Sequence, residues 1–174
     1  DPIFIKKIWP QRFNRLKDKF EDLLPTAYQK FVFSYLVIDK KGIIWLKANT
    51  DNPPVRYLFA YNPITQSVKQ YDALNLYPGQ FESLFIDNDN RLWVLFYNHI
   101  KKESSLRRFN ETQDTYDDEY VFSAENNFSG QYNFISQCWQ DANGFFWLAT
   151  VDGLIKIDMK KKKHLIWKHN SSDS

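Results

Sequence analysis

A chain of 174 residues is long enough to bury one substantial core, and 43% hydrophobic with 25% charged residues is an ordinary globular balance. A formal net charge of +2 supplies no strongly basic face, so a nucleic-acid partner is not expected, and no apolar run reaches the length of a membrane span. A single cysteine excludes an intrachain disulfide.

Taken in order, Ile3-Phe4-Ile5 and Ile8-Trp9 read as a first strand. Between Pro10 and Pro25 the pattern changes: Phe13, Leu16, Phe20, Leu23 and Leu24 fall at helical spacing with charges between them. The two prolines serve as start and stop signals, so a short amphipathic helix is predicted over 11–24. Its expected role is a lid over apolar surface, with partner docking or dimerisation as the alternative.

From residue 39 onward one short pattern recurs: Asp-x-x-(Gly or Asn)-x-apolar-Trp. The copies are Asp39, Gly42 and Trp45; Asp87, Asn90 and Trp93; Asp141, Gly144 and Trp147. Trp45 to Trp93 spans 48 residues and Trp93 to Trp147 spans 54, a period that signals a repeat architecture. Each Asp follows a run rich in β-branched and aromatic residues, at 31–38, 81–86 and 132–139. Each Gly or Asn precedes a second run, at 43–46, 91–96 and 145–150. The residues between are predicted to be hairpin turns, because Gly and Asn tolerate a left-handed backbone and Asp can accept backbone N–H bonds at the turn entry. Repetition in step with the turn assigns these carboxylates a structural job. The tryptophans are expected to lock one sheet against the next.

A third and a fourth run complete each copy: 56–61 with 67–71, 105–109 with 115–121, and 153–158 with 164–167. The Asn62-Pro63 and Lys160–Lys163 stretches are turn signals between them. Four short strands per unit of about fifty residues is the layout of a β-propeller blade. The predicted fold is therefore all-β: a partial propeller of about three four-stranded antiparallel blades with the N-terminal helix. Its segments are 1–33 (strand and helix), 34–80 (first blade), 81–131 (second blade, with a loop over 123–131) and 132–174 (third blade and tail).

The pattern resembles the two-component-regulator propeller repeat. The third copy keeps Asp141, Gly144, Trp147-Leu148-Ala149-Thr150, Gly153-Leu154 and Asp158. The first keeps Asp39, Gly42, Trp45 and Leu46. The middle copy has Asn90 in the glycine position and lacks the Gly-Leu pair. The sialidase-type Asp-box differs by placing its Asp two residues before the Gly, and no copy ends in the Trp-Asp of WD repeats. The resemblance, over about 34–170, implies the periplasmic sensor region of a hybrid histidine kinase, an inner-membrane signalling protein, with an oligosaccharide as the sensed ligand. Any leader and membrane helix of such a protein are expected outside this segment. An incomplete set of blades also implies that further blades of the parent chain, or another copy of this one, are partners.

Candidate ligand residues come from the inter-strand loops, where propellers commonly bind: Arg56 after the polar loop at 49–55, and Tyr97 with His99 in the second blade. An 18% aromatic content suits both blade packing and stacking on sugar rings. No catalytic residue, metal or cofactor is expected. The histidines 99, 164 and 169 and Cys138 lack zinc spacing, and no nucleophile elbow or phosphate loop is present. Asp87-Asn-Asp-Asn partly matches a calcium loop, but Leu92 and Asn98 replace its Gly and Glu. Two alternatives to ligand sensing stay open: a protein–protein scaffold, and a propeller polysaccharide lyase or glycosidase, for which no unique carboxylate pair stands out.

Overall fold

Alternation of apolar and polar residues, punctuated by Asn, Asp and Gly turns, produces strands throughout. The computed structural model describes residues 9–50, 55–72, 79–123, 135–150 and 153–168, and the chain divides into two units, Asp1–Leu76 and Tyr77–Ser174. The expected first strand at Ile3–Ile5, the loop over 124–131 and the tail from His169 lie outside the described residues.

In the first unit, β1 (Gln11–Asn14) and β2 (Lys19–Asp22) form a hairpin. A 3-10 turn at Thr26–Tyr28 leads into β3 (Val32–Ile38), β4 (Ile44–Asn49), β5 (Arg56–Asn62) and β6 (Ser67–Tyr71), a four-stranded antiparallel sheet in chain order. Ile44, Leu46, Phe59 and Tyr61 project from one face of this sheet and are buried together with Leu23, Leu24, Phe31 and Phe33.

The second unit holds two more such sheets. One runs β7 (Gln80–Ile86), β8 (Leu92–Asn98), β9 (Glu103–Asn110), β10 (Thr115–Ser123). The other runs β11 (Ile135–Gln140), β12 (Phe146–Thr150), β13 (Gly153–Asp158), β14 (Lys163–Lys168). The first strands of these two sheets, β7 and β11, lie beside one another. Between the sheets sits one core: Phe85, Trp93, Leu95, Leu106, Tyr120 and Phe122 from one side, Phe146, Leu148, Ile155 and Ile157 from the other. In all three sheets a β-bulge interrupts the first strand, at Tyr35, Glu82 and Ser136, and bends it. These are blade-like sheets at the repeat positions.

The predicted N-terminal helix over 11–24 is not formed; the segment is the β1–β2 hairpin. Asn14 decides this locally. Its Oδ1 accepts from the amides of Leu16 at 3.0 Å and Lys17 at 3.2 Å, and Asp18 takes φ 49°. Such side-chain-to-backbone bonds compete with helix, and a helix this short gains little to offset its nucleation cost. The same device closes Arg108-Phe109-Asn110: Asn110 Oδ1 accepts from Thr112 and Gln113 at 3.1 Å, and Asp114 also takes φ 49°. Asn62 closes β5–β6 in the same way, accepting from Ile64 and Thr65 at 2.9 and 3.2 Å with Gln66 at φ 57°, and Asn98 closes β8–β9 with Lys102 at φ 54°, so the β1–β2 turn is one of several with this construction. Phe13 and Phe20, expected on a buried helix face, form a cross-strand pair at 5.2 Å, and Leu16 at the turn tip is 99% exposed.

Candidate functional site

The repeated turn is built alike three times. Asp39 Oδ1 accepts from the amides of Lys41 and Ile43 at 2.8 and 2.9 Å. Asp87 Oδ1 accepts from Asp89 and Arg91, and Asp141 Oδ1 from Asn143 and Phe145, all between 2.8 and 3.0 Å. The second oxygen of each takes the indole N–H of the repeat tryptophan: Trp45 at 3.4 Å, Trp93 and Trp147 at 2.8 Å. Gly42, Asn90 and Gly144 stand at φ 80°, 64° and 84°, the left-handed backbone that closes the loop. The Trp147 hydrogen bond, followed by the Phe145 and Asn143 amides, holds the Asp141 carboxyl below its ordinary value. Each carboxylate is thereby committed to its own turn.

The turns also join the two sheets of the second unit. Asn88 donates its amide N–H to Gln140 Oε1 and its side-chain Nδ2 to the Asp141 carbonyl, both at 2.8 Å. Gln140 Nε2 in turn donates to the Gly144 carbonyl at 3.0 Å. Asn88, Gln140 and Gly144 also line a groove of about 600 Å³, together with Arg91, Asn143, Lys160 and Lys162. Sequence reading missed it; Asn88 and Gln140 occupy variable positions of the repeat, and nothing in the pattern marks them.

At the opposite end of the β7–β10 sheet, the expected ligand residues Tyr97 and His99 come together. Their rings meet edge to face at 4.8 Å, and His99 Nε2 lies 2.6 Å from Gln80 Oε1. Gln80 is paired with Tyr97 in the ladder, a contact across the hairpin that sequence spacing did not nominate. Tyr97 is buried while His99 is exposed. Asn98 fixes the connection beyond, accepting from Ile100 and Lys101 at 3.0 and 3.1 Å. Arg56, the third expected residue, opens β5 in the first unit, half-buried and in register with Asn49. It occupies the equivalent end of its own sheet, after the connection between second and third strands.

A larger groove of about 960 Å³ runs along the outer strands β10 and β14. Tyr120 Oη and His164 Nδ1 meet there at 2.7 Å, and Lys162 Nζ donates to the Glu119 carbonyl at 2.8 Å. Burial pushes the Tyr120 phenol up and the His164 imidazole down from their ordinary values. Cys138 packs against the core, and burial raises its thiol pKa, so it is not a reactive thiolate. Among the described residues, no group of three or more His, Cys, Asp or Glu side chains is placed to hold a metal ion, and no helix is long and apolar enough to cross a membrane.

No family model and no curated protein matches the chain. Solved structures do. The extracellular domain of a protein assigned as a hybrid two-component system in B. thetaiotaomicron is 15% identical, with a TM-score of 0.59 over 91% of this chain and 20% of that one. A luciferin-regenerating enzyme is 14% identical, with a TM-score of 0.57 over 82% of this chain and 48% of that one. The extracellular domain of a protein assigned as a one-component system in B. thetaiotaomicron is 21% identical, with a TM-score of 0.46 over 80% of this chain and 16% of that one. The chain thus spans less than half the length of each. The likeness is one of fold, shared by a signalling protein's extracellular domain and by an enzyme.

Proposed function

We propose that this chain is a ligand-sensing part of an extracytoplasmic propeller belonging to a two-component, hybrid histidine kinase signalling protein. The observation that carries this reading is the conjunction of the repeated Asp–Trp turn on three successive four-stranded sheets with a fold like the extracellular domain of a hybrid two-component system over 91% of the chain. The chain itself is read as non-enzymatic, since its repeated carboxylates are spent on turn amides and indoles. The periplasm is the compartment this reading implies, with the signalling domains elsewhere in the parent protein.

The sensed ligand is an oligosaccharide, and the proposed contact residues are Arg56, Tyr97 and His99. Support for the second unit's part comes from the Gln80–Tyr97–His99 cluster, which sets amide, phenol and imidazole groups beside an aromatic edge, the mixture that binds sugar hydroxyls and faces. A thermal-shift screen of the chain against plant and host oligosaccharides tests this. A ligand that binds only the folded state stabilises it by about 2.7 kcal/mol at a hundredfold excess over its dissociation constant. The expected result is a concentration-dependent shift for one sugar class that His99→Ala diminishes. A shift untouched by His99→Ala and Tyr97→Phe would move the site elsewhere, and release of reducing ends or unsaturated sugar during incubation would replace sensing by catalysis.

A further inference from the structure

The outer hairpin of the β11–β14 sheet gathers one sign of charge. From Gly153 to Lys168, through β13, its turn and β14, six residues are lysine and one, Asp158, is acidic. That aspartate is engaged locally: its Oδ1 accepts from the Lys161 amide at 3.0 Å and its Oδ2 lies 3.8 Å from Lys161 Nζ. Lys160, Lys163 and Lys168 have no ion-pair partner among the described residues. Like charges held this close repel one another, and a bound anion relieves that cost.

The turn stands beside two grooves. Lys162, Lys163 and Lys168 line the groove of about 960 Å³ along β10 and β14, with Tyr120, His164 and Ile166 among them, and no carboxylate lines it among the described residues. The groove of about 600 Å³ beside Asn88 and Gln140 takes Lys160 and shares Lys162. Lys162 is held in place: it takes φ 51°, its Nζ donates to the Glu119 carbonyl at 2.8 Å, and it lies 6.0 Å from the Tyr120 ring centre. On β10, Glu119 pairs with Arg107, and Asp117 with Arg108 at 2.6 Å, so those carboxylates are answered within their own sheet. The Tyr120–His164 contact and half-buried Ile166 give the larger groove polar and apolar points between its charges. At a strand rise of about 3.3 Å per residue, Lys163 and Lys168 stand about 17 Å apart, further than one small anion reaches.

We propose that the β10–β14 groove binds an anionic oligosaccharide, a chain whose successive rings carry carboxylate or sulfate groups, with Lys163 and Lys168 as its charge contacts beside the fixed Lys162. This rests on the reading of the chain as an oligosaccharide sensor. It adds an anionic ligand class and a second set of contacts, distinct from Arg56, Tyr97 and His99. Lysine suits such a chain: its ammonium is a point charge on a flexible stem and follows unevenly spaced anions, whereas a planar guanidinium selects one bidentate partner. A nucleic acid would ask for a broad basic face, which a net charge of +2 does not supply.

Isothermal titration calorimetry at about 0.15 M salt compares hexagalacturonate, a chondroitin sulfate hexasaccharide and neutral maltohexaose. At least one anionic sugar should bind about tenfold or more tighter than maltohexaose, and the two anionic arms tell carboxylate from sulfate recognition. Lys163→Gln with Lys168→Gln, both exposed, should weaken that binding about tenfold or more. Lys40→Gln with Lys41→Gln, the same loss of charge on the β3–β4 turn, should leave it unchanged. In the unaltered chain, the bound sugar should slow acetylation of Lys163 and Lys168, read by peptide mass spectrometry. Equal weakening by the two lysine pairs, or equal binding of an oligodeoxynucleotide of the same charge, reduces the effect to diffuse attraction and overturns the proposal. Unslowed acetylation, or binding lost with His99→Ala and kept by the Lys163–Lys168 pair variant, overturns it too. Failure of both anionic sugars to bind overturns it while leaving a neutral-sugar thermal shift, and with it the sensing reading, intact.

Discussion

The indole N–H of Trp93 donates to Asp87 Oδ2 at 2.8 Å, and the same oxygen receives Arg91 Nε at 2.7 Å. Asp87 is 2% exposed, so this carboxylate joins a tryptophan, an arginine and two turn amides in a buried place. Asp87→Ala leaves the buried Trp93 indole and the turn amides without their acceptor, while Arg91 keeps Asp89 at 2.7 Å, and is expected to destabilise by about 3 kcal/mol. Asp39→Ala, at a half-buried site where the Trp45 bond is 3.4 Å long, is expected to cost about 1 kcal/mol. Urea unfolding midpoints of the two variants decide the order. A larger loss for Asp39→Ala would mean that burial is not what sets the strength of the turn.

Two glycines with positive φ separate backbone strain from steric exclusion. Gly42 at φ 80° has nothing within 4 Å of where a Cβ would stand, so Gly42→Ala carries only the left-handed penalty, about 1 kcal/mol. Gly153 at φ 140° would place a Cβ 1.9 Å from the Trp167 carbonyl oxygen, a backbone atom of the adjacent strand. Gly153→Ala must therefore shift β13 from β14 and is expected to cost about 3 kcal/mol or more. Thermal denaturation of both variants checks the ratio; equal losses would show that the β13–β14 edge yields easily.

The repeat was legible because it rests on residue types with one strong local reason each: Asp39, Asp87 and Asp141 to bind amides, Gly42, Asn90 and Gly144 to turn, tryptophan to fill. The strands followed, with β13 at its expected bounds and the run from Thr115 forming β10. The N-terminal hairpin was missed because Phe13, Leu16, Phe20 and Leu23 happen to fit a helical period. The stronger signal was the turn pattern that Asn14 and Asp18 share with Asn62 and Gln66, Asn98 and Lys102, and Asn110 and Asp114. The Asn88–Gln140 latch and the Tyr120–His164 contact were not legible, since each joins residues 44 or more apart through positions the repeat leaves free. The candidate ligand residues were chosen as loop residues, whereas Arg56 opens β5 and Tyr97 lies within β8; Gln80, 2.6 Å from His99 Nε2, required the ladder.

Phe146 bridges the two sheets of the second unit through Phe85 and Trp93. Phe146→Ala is expected to cost about 3–5 kcal/mol, the range for an aromatic lost from a close-packed core. Because the void opens over Trp93, iodide quenching of that residue should rise with the loss of stability. A variant that loses stability without exposing Trp93 would show that the sheets close over the gap.

His164 gives the second unit an acid-sensitive seam. Burial holds its imidazole below the ordinary value of 6.5, and Tyr120 Oη contacts Nδ1 at 2.7 Å. Above pH 6.5 the ring is neutral in both folded and unfolded chains, and its contribution to stability is fully present. As pH falls below that value the unfolded chain binds the proton first, so stability declines until the folded ring also protonates. The Tyr120 phenol shifts the opposite way: raised above 10.0, its contribution is complete below that pH and is lost as pH rises further. The melting temperature should therefore fall between about pH 7 and pH 5, and His164→Phe should flatten part of that slope. The difference between the two curves isolates His164. Parallel curves would show that protonated His164 is accommodated beside Tyr120 without loss.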